Sequence, residues 1–263
     1  RSDQGSMNHD SIPIKIERRD FAQLITIDRP ERRNAITYDI SVAIADALDE
    51  LDADGDLRVG IITGAGGCFC SGMDLKDFAS GRRPELEGRG FAGVTERPPV
   101  KPLIAAVEGF ALAGGFELAL ACDMIVAGEG AVFGLPEVAR GLVAGSGGLV
   151  RMGRRIPEGI ALEYALTGAR MSAQEAARWG LVNRLVPAGS ALDEALSLAQ
   201  TISANAPLSV AASKHILHAA RNWAEAEVWD WQRPLADAVI QSEDAIEGAR
   251  AFAEKRVPVW RGR

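Results

Sequence analysis

The chain has 263 residues, 47% hydrophobic and 25% charged, a composition that supports a large apolar core and a small second domain. With 29 Lys and Arg against 36 Asp and Glu, the formal charge of −7 excludes a basic nucleic-acid footprint, while a local cationic cluster for a small anion stays compatible with it. No apolar run reaches the length of a bilayer span, so neither a transmembrane segment nor a membrane partner is expected.

Residues 1–6 (RSDQGS) precede Met7 and read as an expression remnant outside the fold. No secretory signal pattern follows, and the expected location is the cytoplasm. Short β-branched or aliphatic runs come next: IPIKI (12–16), LITID (24–28), VGIIT (59–63), LIAAVEG (103–109), DMIVA (123–127) and LVNRLV (181–186). Between them, residues 37–53 place apolar side chains at helical spacing, with Thr37 as a candidate N-cap. Residues 80–99 are polar and rich in Gly and Pro, which reads as a mobile surface loop or as a lid over a site. Ser172 and Glu175 form a capping-box pattern at the head of 172–179, and Gly180 ends that helix. Strands alternating with helices predict an α/β core over 7–200. From about residue 201 to 263 the pattern turns helical and carries Trp223, Trp229, Trp231 and Trp260, which predicts a C-terminal helical subdomain.

Several chemistry-bearing patterns fail on spacing. TGAGGCFCSG (63–72) fits neither the phosphate-loop nor the dinucleotide glycine pattern. His215 and His218 lack the H-E-x-x-H context, His9 adjoins the remnant, and no metal site is expected. Cys68, Cys70 and Cys122 are an odd set without a C-x-x-C pair and read as free thiols in a reducing compartment. No Ser or Cys has a recognisable His partner for nucleophilic catalysis.

What remains is three glycine-containing loops, each following a strand: GAGGCFCSGMDLK (64–76), FALAGGFELALACD (110–123) and FGLPEVARGLVAGSGG (133–148). A helix starting near Gly114 would aim free N–H groups and the positive end of its dipole at a ligand. Two such N–H groups converging on one oxygen stabilise a developing enolate. Glu117 and Glu137, 20 residues apart in consecutive loop–helix units, supply a possible acid and base for adding water across an activated double bond. Taken alone, Glu117 is equally compatible with the solvent face of an amphipathic helix.

The order and spacing of RPERRNAI (29–36), CFCSGMDLK (68–76), EGFALAGGFELALACD (108–123), FGLPEVARGLVAGSGG (133–148), LTGARMSAQEAARWGLVNRLV (166–186) and SEDAIEGARAFAEKRVPVWRGR (242–263) resemble the crotonase (enoyl-CoA hydratase/isomerase) superfamily over nearly the whole chain. GFAGVTE (90–96), GGFELALA (114–121) and LPE (135–137) bring the likeness nearest to its carnitinyl-CoA dehydratase (crotonobetainyl-CoA hydratase) group.

The resemblance implies a spiral of ββα units, a C-terminal helical trimerisation region over 201–263, and homotrimers stacked into hexamers. It also implies a hydro-lyase acting on enoyl-CoA thioesters, with coenzyme A as part of the substrate and no separate cofactor. By position, Met73 and Gly114 become the oxyanion-hole residues and Glu117 and Glu137 the catalytic pair. Arg32, Ala35, Asp74, Leu75, Lys76, Phe252 and Lys255 become coenzyme A contacts, the last two reaching a neighbouring subunit; a solvated lysine or ordinary core is the plainer reading of Lys76, Lys255 and Phe252. Trp229 and Trp231 are candidates for the wall around a trimethylammonium group. The chain departs from the family in AGSGGLVRM (144–152), which lacks the usual proline and Thr-Gln pair, and in Met73, which replaces a smaller residue. A catalytically silent acyl-CoA-binding protein is the alternative from another class.

Overall fold

Six strands build the main sheet of the computed structural model, which describes residues 12–263; the remnant at 1–6 and His9 lie outside the described residues. β1 (Ile14–Arg19) and β2 (Ala22–Ile27) form an antiparallel hairpin, and α1 (Tyr38–Ala53) leads from it to β3 (Val59–Gly64). α2 (Leu75–Ala79) follows, then a small hairpin of β4 (Glu85–Leu86) and β5 (Gly90–Phe91). The next windings are β6 (Leu103–Val107), β7 (Phe110–Leu112) and α3 (Gly114–Ala121), then β8 (Met124–Gly128) and β9 (Val132–Gly134). α4 (Gly148–Arg155), α5 (Glu158–Thr167), β10 (Met171–Ser172), α6 (Ala173–Arg178) and β11 (Arg184–Val186) complete the core. The chain ends in α7 (Ala191–Ser203), α8 (Pro207–Ala219), α9 (Val228–Ile240) and α10 (Glu243–Glu254).

The main sheet runs β1-β2-β3-β6-β8-β11, parallel from β2 onward, and a second sheet runs β10-β9-β7. The repeating unit is therefore a strand in the first sheet, a short strand in the second, then a helix entry. β6–β7–α3 and β8–β9 followed by the 3₁₀ turn Pro136–Arg140 are two such units. β3 begins a third, in which Cys70 pairs with Ala111 as a one-residue extension of the second sheet before α2. This is the predicted spiral of ββα units, and its successive windings stack their helix entries side by side.

Local chemistry sets several boundaries. Thr37 accepts a hydrogen bond from the Ile40 amide and starts α1, as its position predicts. Ser172 and Glu175 form both bonds of the capping box at α6. Ile25, Ile27, Ile44, Leu48, Ile62, Phe69, Phe116 and Phe133 form the main core, and a second cluster under α7 packs Val59, Ile61 and Ile104 against Ala195 and Ala199.

The 80–99 segment departs from the mobile loop predicted for it. Phe91, Ala92 and Val94 are buried, and Arg89 donates to the Ala45 and Gly93 carbonyls and pairs with Asp49. Apolar burial and the Arg89 contacts together dock it. α8 and α9, by contrast, bury no residue fully, and Leu217, Trp229, Trp231, Ile240, Ile246 and Phe252 on α8–α10 are exposed.

Candidate active site

The site lies where the three helix entries meet. Asn34 pins the first of them: fully buried, it donates through Nδ2 to the Ala65 and Cys68 carbonyls (2.9 and 2.5 Å) and accepts from the Arg29 amide (2.8 Å). The loop it holds continues to Gly72, whose φ of +105° is open to glycine and strained for other residues. The Ile36 amide donates to Gly72 O (2.8 Å) and the Asp74 amide to Ile36 O (2.9 Å). The amide between them, that of Met73, has no acceptor among the described residues.

Gly72 lies directly against the second entry: a Cβ there would stand 3.3 Å from the Gly114 nitrogen and 3.2 Å from the Ala113 Cβ. Ala113 is held at φ +51°, ψ −128°, a strained turn from β7 into α3 for a residue with a Cβ. Its amide donates to Gly134 O (2.9 Å), and the Gly114 amide after it is likewise without an acceptor among the described residues. Gly115 is required here for close packing, since a Cβ would fall 2.1 Å from Cys70 O. Two unpaired amides, Met73 and Gly114, thus flank one junction, with the α3 dipole adding positive potential.

Glu117 sits in the first turn of α3, on the face that Gly114 shares at i, i+3 spacing. It is only 3% exposed, so the solvent-face reading fails. Its Oε1 accepts from the amides of Ser146 (2.8 Å) and Gly148 (3.0 Å), and Oε2 has no protein partner among the described residues. Burial pushes the Glu117 pKa up, the Gly148 and Ser146 amides oppose that, and the nearby charge of Glu137 pushes it further up. Gly148 is glycine because a Cβ would lie 2.7 Å from Glu117 Cγ. The AGSGGLVRM segment, despite its departures from the family pattern, supplies both amides of this cradle.

Glu137 enters on the 3₁₀ turn after Pro136, three residues beyond the Gly134 carbonyl that anchors Ala113. It is half-buried, and its Oε2 is enclosed without a hydrogen-bond partner among the described residues. Burial raises its pKa, against the pull of its own backbone amide and of Arg140. An enclosed carboxyl oxygen with nothing to bond is costly unless a ligand or proton answers it. The arrangement can therefore hold an anionic oxygen at two amides with two proton-exchanging groups beside it.

Other residues from the sequence reading fall in different places. Asp74 is buried, caps α2 through the Lys76 and Asp77 amides and pairs with Arg29 at 2.5 Å, so its carboxylate is already engaged by the scaffold. Burial opposes its ionisation, but those amides and Arg29 hold the pKa below its ordinary value. Leu75 and Lys76 are exposed along α2, and Arg32 is exposed before buried Ala35; all four flank the first entry in sequence. Phe252 is on α10 and Lys255 is its left-handed C-cap; α10 packs on α9. Trp229 and Trp231 are exposed on α9, and the structure does not bring them to the carboxylates. His218 pairs with Asp123, which also holds Lys214, so this histidine has a structural partner. The three cysteines are free.

Sequence reasoning missed Asn34 as the loop pin, Ser146 and Gly148 as the Glu117 cradle, and Phe91. The Phe91 ring covers Gly114: a Cβ on that glycine would lie 2.6 Å from ring Cζ. The available signal was that Phe91 is the lone aromatic residue in 80–99.

The sequence profile of the enoyl-CoA hydratase/isomerase family matches residues 19–263. A carnitinyl-CoA dehydratase of Salmonella enteritidis is 47% identical over 247 residues, which span 91% of this chain and 94% of that protein. The crystal structure of an enoyl-CoA hydratase from Mycobacterium tuberculosis superposes with a TM-score of 0.95 at 53% identity, covering 96% of this chain and all of the other. That of a carnitinyl-CoA hydratase from Mycobacterium avium superposes with a TM-score of 0.77 at 47% identity, covering 96% of this chain and 99% of the other. With a family match over nearly the whole chain and the crotonase spiral in place, this protein is an enzyme of the enoyl-CoA hydratase/isomerase family.

Proposed function

We propose that the chain catalyses reversible syn hydration of trans-2-enoyl-CoA thioesters to 3-hydroxyacyl-CoA. The observation that carries this reading is two enclosed carboxylates of raised pKa beside two main-chain amides with no acceptor among the described residues. In this mechanism the Met73 and Gly114 N–H groups hold the thioester oxygen. Glu117 takes a proton from water as the oxygen bonds to the β-carbon, and the electron pair of the double bond passes into the enolate. Glu137 then delivers a proton to the α-carbon. Each oxyanion donor contributes about 3–4 kcal/mol of transition-state stabilisation. The two acids titrate as a coupled pair, so their apparent pKa values belong to the site.

Coenzyme A enters as part of the substrate, along the rim of Arg32, Ala35, Asp74, Leu75 and Lys76, and the chemistry calls for no metal or further cofactor. Phe252, 88% exposed on α10, supports a homotrimer or homohexamer in which it and Lys255 of the 201–263 region complete a neighbour's thioester site. Three free thiols suit the cytoplasm.

A second reading, hydration of crotonobetainyl-CoA, is supported by the 47% identity to the Salmonella dehydratase. Incubation with crotonyl-CoA, followed by loss of the conjugated enoyl absorbance, separates a hydratase from a silent acyl-CoA binder. Equal turnover by wild type and Glu137→Gln would overturn the acid assignment. A kcat/KM for crotonobetainyl-CoA above that for every plain enoyl-CoA would move the substrate to the second reading.

A further inference from the structure

A cavity of about 600 Å³ opens at the opposite end of α3 from the candidate active site, against Leu120 and Ala121. α3 runs from the Gly114 amide to the cavity over about 10 Å, with Glu117 about one turn from the cavity end. Its wall carries five cationic side chains, Arg151, Arg154, Arg155, Lys214 and Arg221, against the carboxylates Glu96 and Asp123. That excess stands out in a chain of net charge −7.

The carboxylates do not neutralise the arginines. Asp123 is already committed to Lys214 at 2.7 Å and His218 at 2.9 Å, and its Oδ2 also accepts from the Leu103 amide. Arg155 donates through Nη2 alone, to the Leu120 and Cys122 carbonyls (3.0 and 2.5 Å). Arg151 donates to Thr95 O (2.5 Å) and Ser146 O (3.4 Å). Among the described residues neither has an acidic partner. Burial weakens the hold of both on their protons more than the nearby charges of Glu117 on Arg151 and Asp123 on Arg155 strengthen it. The carbonyl contacts explain the orientation of these two arginines but not the exposed Arg154 and Arg221 that complete the ring.

We propose that this cavity is a binding site for a small polyvalent oxyanion, held by the guanidinium donors left over from the carbonyl contacts. Guanidinium forks match phosphate and carboxylate oxygens two at a time, and the volume exceeds that of a single monovalent ion. Arg151 links this cavity to the Ser146 carbonyl of the Glu117 cradle, whereas the acyl-CoA path of the proposed function enters at the N-terminal end of α3.

Calorimetric titration of the full chain with inorganic pyrophosphate, and in a parallel arm with citrate, tests this. Saturable one-to-one binding of either is expected, the tighter probe identifying phosphate or carboxylate chemistry. The double variant Arg154→Gln/Arg221→Gln, both at exposed positions, is expected to weaken it at least about tenfold while leaving KM for crotonyl-CoA unchanged. Absence of saturable binding to wild type overturns the proposal, as does equal affinity in the variant. A rise in KM parallel to the lost affinity would make the cavity part of the thioester's own site and also overturn it. So would a change of oligomeric state in the variant without anion binding by wild type, which would assign the ring to acidic side chains of a second copy.

Discussion

The Phe91 ring occupies the space where a side chain on Gly114 would stand, with ring Cζ 2.6 Å and Cε1 2.8 Å from the Cβ position. A segment composed like a mobile loop is thus a packing element at the head of α3. Gly114→Ala is expected to destabilise the fold by about 1–3 kcal/mol through overpacking and to lower kcat by displacing the amide. Adding Phe91→Leu should recover part of the loss, a coupling of about 0.5–3 kcal/mol in a double-mutant cycle of thermal unfolding. Strict additivity would separate the two residues.

Glu117→Gln keeps the shape and the hydrogen bonds to Ser146 and Gly148 but removes the charge. Activity is expected to fall about 10²–10⁴-fold, while stability at neutral pH rises. The sign follows from the raised pKa: the carboxyl's contribution is full below its ordinary value of 4.5 and is lost as pH climbs through the higher folded value. The Tm advantage of the Gln protein should therefore be near zero below pH 4.5 and grow above it. The acid limb of wild-type kcat/KM should likewise lie above 4.5 if Glu117 is the base of the proposed mechanism, since a base must be ionised.

Gly148→Ala places a methyl group 2.7 Å from Glu117 Cγ. The carboxylate must shift, and a displacement of about 1 Å costs on the order of 10²-fold in kcat. Normal far-UV circular dichroism with that loss would locate the effect in the cradle; full activity would show that Glu117 tolerates movement.

Asn34→Ala strands two carbonyls and one amide that the buried side chain now satisfies. Destabilisation of about 2 kcal/mol or more is expected in urea unfolding. Kinetic losses should accompany it, because the released loop carries Met73.

Phe252→Ala should raise KM for crotonyl-CoA several-fold with kcat nearly unchanged if the residue completes a neighbour's thioester site. Sedimentation of the variant as wild type would show that the assembly survives. An unchanged KM would confine Phe252 to some other surface role.

Elements built by neighbours in sequence are legible in the sequence itself. Thr37 and Ile40, or Ser172 and Glu175, carry their own hydrogen-bond instructions within one helical turn, and the aliphatic runs that became β3, β6 and β8 need only burial on both faces of a parallel sheet. The start of α3 at Gly114 was visible in the paired glycines. Contacts that join distant windings were not. Ser146 and Gly148 meet Glu117 across about thirty residues through main-chain amides, which leave no side-chain signature of their partner, and Asn34 reaches Cys68 through a carbonyl. Phe91 was hidden for a related reason: the charge and glycine around it dominate the local pattern, whereas its burial depends on a helix that begins 23 residues later.

Because each winding of the spiral returns to the same flank before it turns into a helix, the functional groups are mounted on separate loops over a shared frame. Met73, Glu117 and Glu137 each sit on a different winding, and the strands beneath them pair through main-chain atoms indifferent to what the loops display. Exchanging one winding's side chain leaves the others and the frame in register, so one carboxylate can be lost or moved while the paired amides of Met73 and Gly114 stay in place. The catalytic repertoire is thus modular at the level of single turns.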